Sequence, residues 1–235
     1  QVQRKDMKQN KAVRQIGFQE IDIVSIVEPI TKYATTVLDP DDIRYTLEKA
    51  YYLASTGRQG PVWIDIPLDI QSAHINENAM VGYKPVWWDQ MAVNSNELIK
   101  SQVSQVYHLI SNSKRPVILA GNGIRSAKAQ GQFKKLIEML NIPVLTTWKA
   151  IDFLDENHSL FVGRPGIAAQ RGANFSQQNS DLFISIGARL DHGQTAYNHI
   201  NFAREAKKVI VDIDAAEIDK MQFDVDCRIV GDALD

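Results

Sequence analysis

The chain has 235 residues, 44% of them hydrophobic and 23% charged, and a formal net charge of -2. This size and composition allow a buried core in one or two globular domains and exclude a disordered or fibrous protein. The basic residues are scattered and no segment is long and apolar enough to span a bilayer, so the sequence predicts neither a nucleic-acid nor a membrane partner.

The single cysteine, Cys227, excludes an internal disulfide and fits a reducing compartment. The polar start, from Gln1 to Val13, lacks the apolar core of a signal peptide. We therefore expect a cytoplasmic protein. The absence of an initiator Met raises the hypothesis that residue 1 lies inside a longer protein.

The first predicted elements are a strand, a helix and a second strand. YATTVL, residues 33–38, has the β-branched content of a strand, and the acids and proline of residues 39–42 predict a helix start. The helix should end near Gly57. Its predicted buried face consists of Ile43, Leu47, Ala50, Tyr51 and Ala54. PVWIDIP, residues 61–67, reads as a strand closed by a proline.

Periodicity is lost between residues 68 and 94, where Asn, Gly and Pro residues indicate a linker. We predict a first domain at residues 1–71, the linker at 72–96 and a second domain at 97–235. Trp87 and Trp88 are expected to pack against a neighbouring domain rather than to stack on a ligand.

The second domain alternates helices and strands. Ile99, Val103, Val106 and Ile110 predict one helix face, and Phe133, Leu136, Ile137 and Leu140 predict another. PVILA, PVLTTW, DLFISIG and KKVIVDID are short and almost continuously apolar, as strands covered on both faces are. The fold class is therefore α/β, with a doubly wound, mostly parallel sheet of the six-stranded type and ligands expected at the carboxyl ends of its strands.

The turn Gly121-Asn122-Gly123 follows the strand PVILA and leads into a helix-like segment. Such a turn is either a phosphate cradle or a tight corner that binds nothing. The third glycine of the dinucleotide fingerprint is replaced by Ser126, and no acid follows the next strand, where Thr146, Thr147 and Trp148 stand. A standard NAD site is therefore not expected.

A resemblance rests on motifs that occur in one order along nearly the whole chain. They are FQEIDIVSIVEPITKYATTV, GPVWIDIPLDIQ, RPVILAGNGI, PVLTTW, GRPGIAAQRGANFSQQNSDLFISIGARLD, VIVDIDAAEI and GDAL. Taken together, they resemble the thiamine-diphosphate-dependent enzymes of the acetolactate synthase type. That family has a pyrimidine-binding, a central and a pyrophosphate-binding domain. The resemblance implies that residues 1–71 are the last part of a pyrimidine-binding α/β domain and that residues 97–235 are the whole central domain.

The resemblance also implies what this chain lacks. The family's catalytic glutamate would lie upstream, and the Gly-Asp-Gly…Asn motif that holds Mg²⁺ and the diphosphate would lie downstream. The terminal Gly231-Asp232-Ala233 is not that motif, because its third residue differs. We expect the intact parent to use thiamine diphosphate and magnesium on a small 2-oxo acid, as a homodimer or homotetramer, and this chain alone to be inactive.

Site residues are implied in the same way. Phe18 and Gln19 resemble the active-site Phe-Gln-Glu of the family, although a plain helix start is an equal alternative. The segments that hold FAD in acetolactate synthases correspond here to Gly121, Asn122, Gly123, Thr146, Thr147, Gly187, Ala188, Arg189, Asp212, Asp214, Gly231, Asp232 and Ala233. Arg189 is the implied diphosphate partner.

One departure counts against FAD. Flavin-binding members continue Phe-Asp-Asp-Arg after Gly-Ala-Arg, whereas this chain has Leu190-Asp191-His192-Gly193. The loss of a charge-assisted contact costs about 1.5–3 kcal/mol. An empty or ADP-like site is therefore favoured over FAD.

Other polar residues are given structural roles. The five histidines, at positions 74, 108, 158, 192 and 199, show no metal-ligand spacing. The pairs Asp65/Asp69 and Asp212/Asp214 are expected to cap loops or helices, with a ribose contact left open for the second pair. Two functions remain: part of a thiamine-diphosphate-dependent 2-oxo acid carboligase or decarboxylase, which is favoured, or a nucleotide-binding or scaffold module without turnover.

Overall fold

A computed structural model of the protein describes Gln15 and residues 20–85 and 96–235. The chain divides into two compact units, residues 1–90 and 91–235. Trp87, Trp88, Phe18 and Gln19 lie outside the described residues.

The first unit is built on two parallel strands, with Tyr33 opposite Val62 in the ladder. Its elements are α1 (Ile23–Val27), a 3₁₀ turn (Glu28–Ile30), β1 (Tyr33–Thr36), a 3₁₀ turn (Pro40–Asp42), α2 (Ile43–Ser55), β2 (Val62–Asp65) and α3 (Leu68–Gln71). Asp39 caps the second turn through the Asp41 N–H, and Gly57 adopts a left-handed φ of 55° after α2. Residues 72–85 contain neither helix nor strand.

The predicted buried face of α2 is wrong at two positions. Leu47 and Tyr51 are exposed, whereas Thr46 and Ala50 are buried. The helix packs against β2, and a sheet of two described strands covers only one side of it.

The second unit contains a six-stranded parallel sheet in the order β5-β4-β3-β6-β7-β8, which confirms the predicted fold class. The strands are β3 (Pro116–Ala120), β4 (Val144–Thr146), β5 (Phe161–Gly163), β6 (Leu182–Ile186), β7 (Lys207–Asp212) and β8 (Cys227–Val230). The helices are α4 (Asn96–Ser111), α5 (Gly123–Ser126), α6 (Gln130–Leu140), α7 (Arg171–Gln178) and α8 (Ala215–Asp219), with a 3₁₀ turn at Trp148–Ala150.

Helices and loops cover both faces of this sheet, as its nearly continuous apolar strands require. On one face, Phe133 and Ile137 of α6 pack with Ile118 and Val144. The other face holds Ala173 of α7 together with Phe183, Leu190, Phe202 and Ile218. The predicted face of α4 is wrong at Val103, which is exposed, because α4 packs against β8 and its side chains Val106 and Ile110 lie against the core.

Strand order reverses between β3 and β6. From β3 the chain proceeds outward to β4 and β5, and from β6 it proceeds outward the other way to β7 and β8. The turns after β3 and β6 therefore meet at the topological switch point, where ligands bind in open parallel sheets.

Candidate functional site at the carboxyl edge of the sheet

The thirteen predicted cofactor-binding residues all follow, or end, a strand of the parallel sheet. They lie on the carboxyl ends of five strands: β3, β4, β6, β7 and β8. Because the strands run in parallel, the structure brings all of these segments to one edge of the sheet.

The centre of this edge is a close packing of two turns. The N–H of Gly121 donates to the Ile186 carbonyl at 2.9 Å, and the N–H of Gly123 donates to the Gly187 carbonyl at 2.9 Å. A Cβ at Gly121 would lie 2.1 Å from the Gly187 oxygen, and one at Gly123 would lie 2.6 Å from the Gly187 Cα. Glycine is needed here because backbone meets backbone.

This packing bears on the two alternatives for the Gly-Asn-Gly turn. The amides of Gly121 and Gly123 are already used, and the helix that follows, α5, has only four residues before the chain turns again into α6. The Gly121 and Gly123 amides hold the corner between the two turns, and a phosphate here would need donors other than these two amides.

Thr146 and Thr147 end the neighbouring strand. Thr146 is fully buried, and its hydroxyl has no hydrogen-bond partner within the described part of the chain. The N–H of Thr147 donates to the Ala120 carbonyl at 3.0 Å and so fixes this turn beside Gly121.

Arg189 follows β6 in an unusual backbone conformation. Gly187, Arg189 and Leu190 have φ values of 58°, 60° and 47°, in the left-handed region. Leu190 is buried in the core, whereas the Arg189 side chain is 63% exposed. Leu190 thus anchors the loop in the core, and the Arg189 side chain faces solvent at the switch point.

The Arg189 guanidinium contacts a buried carboxylate. Its Nε donates to Glu217 Oε1 at 3.2 Å, and the Glu217 side chain is only 9% exposed. Lys220 donates to the other carboxylate oxygen of Glu217. Sequence reasoning missed Glu217, because the only local signal is its spacing from Asp214, which indicates a helix start.

Asp212 and Asp214 both accept hydrogen bonds from the backbone, as expected for capping acids. Asp212 Oδ1 accepts from the N–H of Asp214, and Asp214 Oδ1 accepts from the N–H of Ala216 and so begins α8. The capping prediction is confirmed for this pair, and the ribose contact stays a prediction.

The segment after β8 joins the same edge. The N–H of Gly231 donates to the Asp212 carbonyl at 3.1 Å, and Asp232 Oδ1 accepts from the N–H of Leu234. Ala233 packs against the core on the α6 face. The structure thus joins the segments after β7 and β8.

Arg164, a positively charged residue that sequence reasoning missed, follows β5. Leu145 of β4 pairs with Gly163 of β5. The residues that follow them in the chain, Thr146 and Arg164, therefore lie next to each other at this same edge of the sheet. Arg164 donates to Glu156 at 2.8 Å and its guanidinium lies over the Phe161 ring. Among the described residues no hydrogen-bond partner is found for Arg164 Nε, which is buried.

Residues 20–85 and 96–235, with Gln15, contain no group of three or more His, Cys, Asp or Glu side chains that could hold a metal ion. No helix in this part of the chain is long and apolar enough to cross a membrane.

The edge can be tested for its fit to a nucleotide. Arg189 offers an exposed, planar guanidinium, which matches a diphosphate, whereas Gly121 and Gly123 offer no amide. The described residues fit a diphosphate that contacts the Arg189 side chain.

Comparison with known proteins agrees with this architecture. Residues 103–235 match the family model of the thiamine pyrophosphate enzyme, central domain. The chain belongs to the thiamine pyrophosphate enzyme family. This membership covers the entire six-stranded sheet and every predicted cofactor-binding residue at its edge.

Two similar proteins are described as an acetolactate synthase large subunit and a probable acetolactate synthase large subunit. The acetolactate synthase large subunit of Corynebacterium glutamicum is 38% identical over 222 residues, which is 92% of this chain and 34% of that protein. A probable acetolactate synthase large subunit of Methanococcus aeolicus is 36% identical over 231 residues, 95% of this chain and 37% of that protein. The chain therefore spans about a third of the length of the curated relatives it matches.

Proposed function

We propose that the intact parent of this chain is a thiamine-diphosphate-dependent enzyme of the acetolactate synthase type, which decarboxylates a 2-oxo acid such as pyruvate and transfers the resulting two-carbon unit to an acceptor. The observation that carries the proposal is the identity of 36–38% over 92–95% of the chain to acetolactate synthase large subunits. The parallel sheet of the central domain supports it.

Within that enzyme, this chain would supply the central domain and the end of the pyrimidine-binding domain. Thiamine diphosphate, with magnesium, supplies the electron sink for decarboxylation when it is bound. Phe18 and Gln19 are the residues of this chain proposed to line the active site. The proposed role of residues 97–235 is to present the carboxyl edge of the sheet.

At that edge we propose an ADP-like occupant or none, with FAD as the less favoured alternative. Arg189 would contact the diphosphate, and the segments after β7 and β8 would lie beside the adenosine half. The engaged amides of Gly121 and Gly123 and the replacement of the family's second arginine by Gly193 both reduce the donors available to a flavin dinucleotide.

The activity is tested with the intact parent, pyruvate, thiamine diphosphate and Mg²⁺. We expect carbon dioxide release and acetolactate formation, both lost when thiamine diphosphate is omitted. Turnover that does not depend on the cofactor, or none with any simple 2-oxo acid, would overturn the proposal and favour a scaffold role.

The occupant is tested by calorimetry on the parent purified without flavin. FAD and ADP are titrated separately into the wild type and into Arg189→Ala. We expect ADP to bind more tightly than FAD if the edge is occupied at all. Micromolar FAD binding that Arg189→Ala abolishes would show that flavin is the occupant.

We further propose that the parent acts in the cytoplasm as a homodimer or homotetramer. The resemblance supports assembly, because active sites of this family form between domains of two subunits. Sedimentation of the active parent at micromolar concentration tests this, and an active monomer would contradict it.

A further inference from the structure

Glu217 is a buried carboxylate with two cationic partners from different parts of the second unit. Arg189 comes from the turn after β6, and Lys220 stands at the end of α8. Burying a carboxylate costs free energy unless cations and hydrogen bonds compensate for it. The contacts with Arg189 and Lys220 offset this cost.

The contact between Arg189 and Glu217 leaves most of the guanidinium available. Only Nε donates to the carboxylate, at 3.2 Å, whereas arginine and carboxylate groups frequently make two parallel contacts. Neither terminal nitrogen of Arg189 donates a hydrogen bond within the described residues, and the side chain stays 63% exposed.

The backbone restricts the same side chain from the other end. Gly187, Arg189 and Leu190 are all in the left-handed region, and Leu190 is buried. Holding non-glycine residues there costs about 1–3 kcal/mol each, which is tolerated where the surrounding structure fixes the conformation. Arg189 is thus held at its backbone by the loop and at its Nε by Glu217.

We propose that Glu217 is a positioning residue that orients Arg189 so that its two terminal nitrogens bind adjacent phosphate groups of a nucleoside diphosphate at the carboxyl edge. The proposal rests on the nucleotide site put forward above. Lys220 has a supporting part, because it donates to the second carboxylate oxygen and so offsets the cost of burying Glu217 beside Arg189.

If Glu217 served stability alone, its removal would have a different effect. Its removal would then loosen α8 and the loop after β6, and would weaken the binding of every ligand at this edge to the same extent. Removing a positioning residue would weaken only the ligand that contacts Arg189 with two phosphates. AMP, which lacks the second phosphate, is therefore the internal control for ADP.

The test is calorimetric titration of ADP and AMP into the intact parent. The variants are Glu217→Gln, Arg189→Ala and the double variant, with Glu205→Gln as the matched control, since Glu205 forms an exposed ion pair with Arg204 in the same unit. We expect Glu217→Gln to weaken ADP about 3- to 10-fold and AMP less than about twofold, and Arg189→Ala to weaken ADP about 10- to 100-fold. The double variant should equal Arg189→Ala, and Glu205→Gln should equal the wild type.

Four results would overturn the proposal: unchanged or tighter ADP binding in Glu217→Gln, equal losses for ADP and AMP, additive losses in the double variant, or no ADP binding by the wild type at millimolar concentration. Pyruvate turnover with thiamine diphosphate is measured on the same preparation. Failure of the nucleotide proposal with normal turnover leaves the enzymatic function standing, and absent turnover identifies the function itself as wrong.

Discussion

Gly121 and Gly187 meet backbone to backbone at the switch point of the parallel sheet. A Cβ on Gly121 would lie 2.1 Å from the Gly187 carbonyl oxygen and 2.3 Å from the Ala188 Cα. The Gly187 carbonyl also accepts the N–H of Gly123 at 2.9 Å. The turns that follow the two central strands are thereby fixed against each other.

Gly121→Ala should destabilise the protein, because the methyl group meets backbone that cannot rotate away. We expect a loss of about 1–3 kcal/mol or more in the free energy of unfolding, measured with urea. Gly131→Ala is the matched control, since the residue is in α6 and nothing apart from its chain neighbours and the backbone of its own helix lies within 4 Å of the added Cβ. The control should be neutral or more stable by up to about 1 kcal/mol. Equal effects of the two substitutions would contradict the close packing.

Asp181 links the start of β6 to the residues before β3. Its carboxylate accepts the N–H groups of Lys114 at 2.7 Å and Arg115 at 2.8 Å. Burial would raise the pKa of Asp181, but these bonds and the Arg115 charge outweigh it and lower the pKa.

A lowered folded-state pKa gives Asp181 a definite pH signature. Its stabilisation is complete above the unfolded pKa of about 3.9 and is lost as the pH falls through the folded value. We expect Asp181→Asn to cost about 1 kcal/mol at neutral pH and to flatten the fall in stability below about pH 4. Urea unfolding from pH 2 to 7 measures this, with exposed Glu138→Gln as control. If the free energy of unfolding falls with pH in Asp181→Asn as it does in the wild type, the two hydrogen bonds do not contribute to the pH dependence.

His199 should act in the same sense as Asp181, but at a higher pH. Burial is the main cause that lowers its pKa, followed by the charges of His192, whose ring centroid is 6.1 Å away, and Lys220. Since the folded pKa lies below the unfolded value of about 6.5, the unfolded state takes up the proton first as the pH falls. Stability attributable to His199 is therefore present above about pH 6.5 and decreases below it.

His199→Asn should remove this decrease in stability below about pH 6.5. The Gln222 N–H should keep its acceptor, because the asparagine Oδ1 can replace Nδ1. His192→Asn should raise the pKa of His199, which an NMR titration of the imidazole ring measures directly. An unmoved His199 pKa in His192→Asn would exclude coupling between the two rings.

Asp214→Ala tests the start of α8. The carboxylate accepts the Ala216 N–H, and loss of such a cap costs about 1 kcal/mol. Asp214→Asn retains an acceptor oxygen and should recover most of that stability in urea unfolding. If Asn is as destabilising as Ala, the cap is not the role of this side chain.

Much of the fold was predictable because its central strands are short, continuously apolar runs. PVILA, PVLTTW, DLFISIG and KKVIVDID all contain strands of the sheet. The edge strands β5 and β8 were not identified, because β5 has only three residues and ends in Gly163, and β8 carries the exposed Arg228.

The candidate site was predictable only in part, because a strand end can be read from sequence and a contact between distant residues cannot. Gly187 and Arg189 follow a clear strand, so their place at the carboxyl edge follows from parallel pairing. The contact of Arg189 with Glu217 joins residues 28 positions apart. Arg164 was missed for a related reason, since the strand before it was itself not predicted.

The central proposal is that this chain is part of a thiamine-diphosphate-dependent enzyme that acts on 2-oxo acids, and that the chain alone is inactive. The most direct test compares carbon dioxide release from pyruvate by the 235-residue chain and by the intact parent, both with thiamine diphosphate and Mg²⁺. We predict release by the parent and none by the chain above the cofactor-only control. Release by the chain alone, or none by the parent, would contradict the claim.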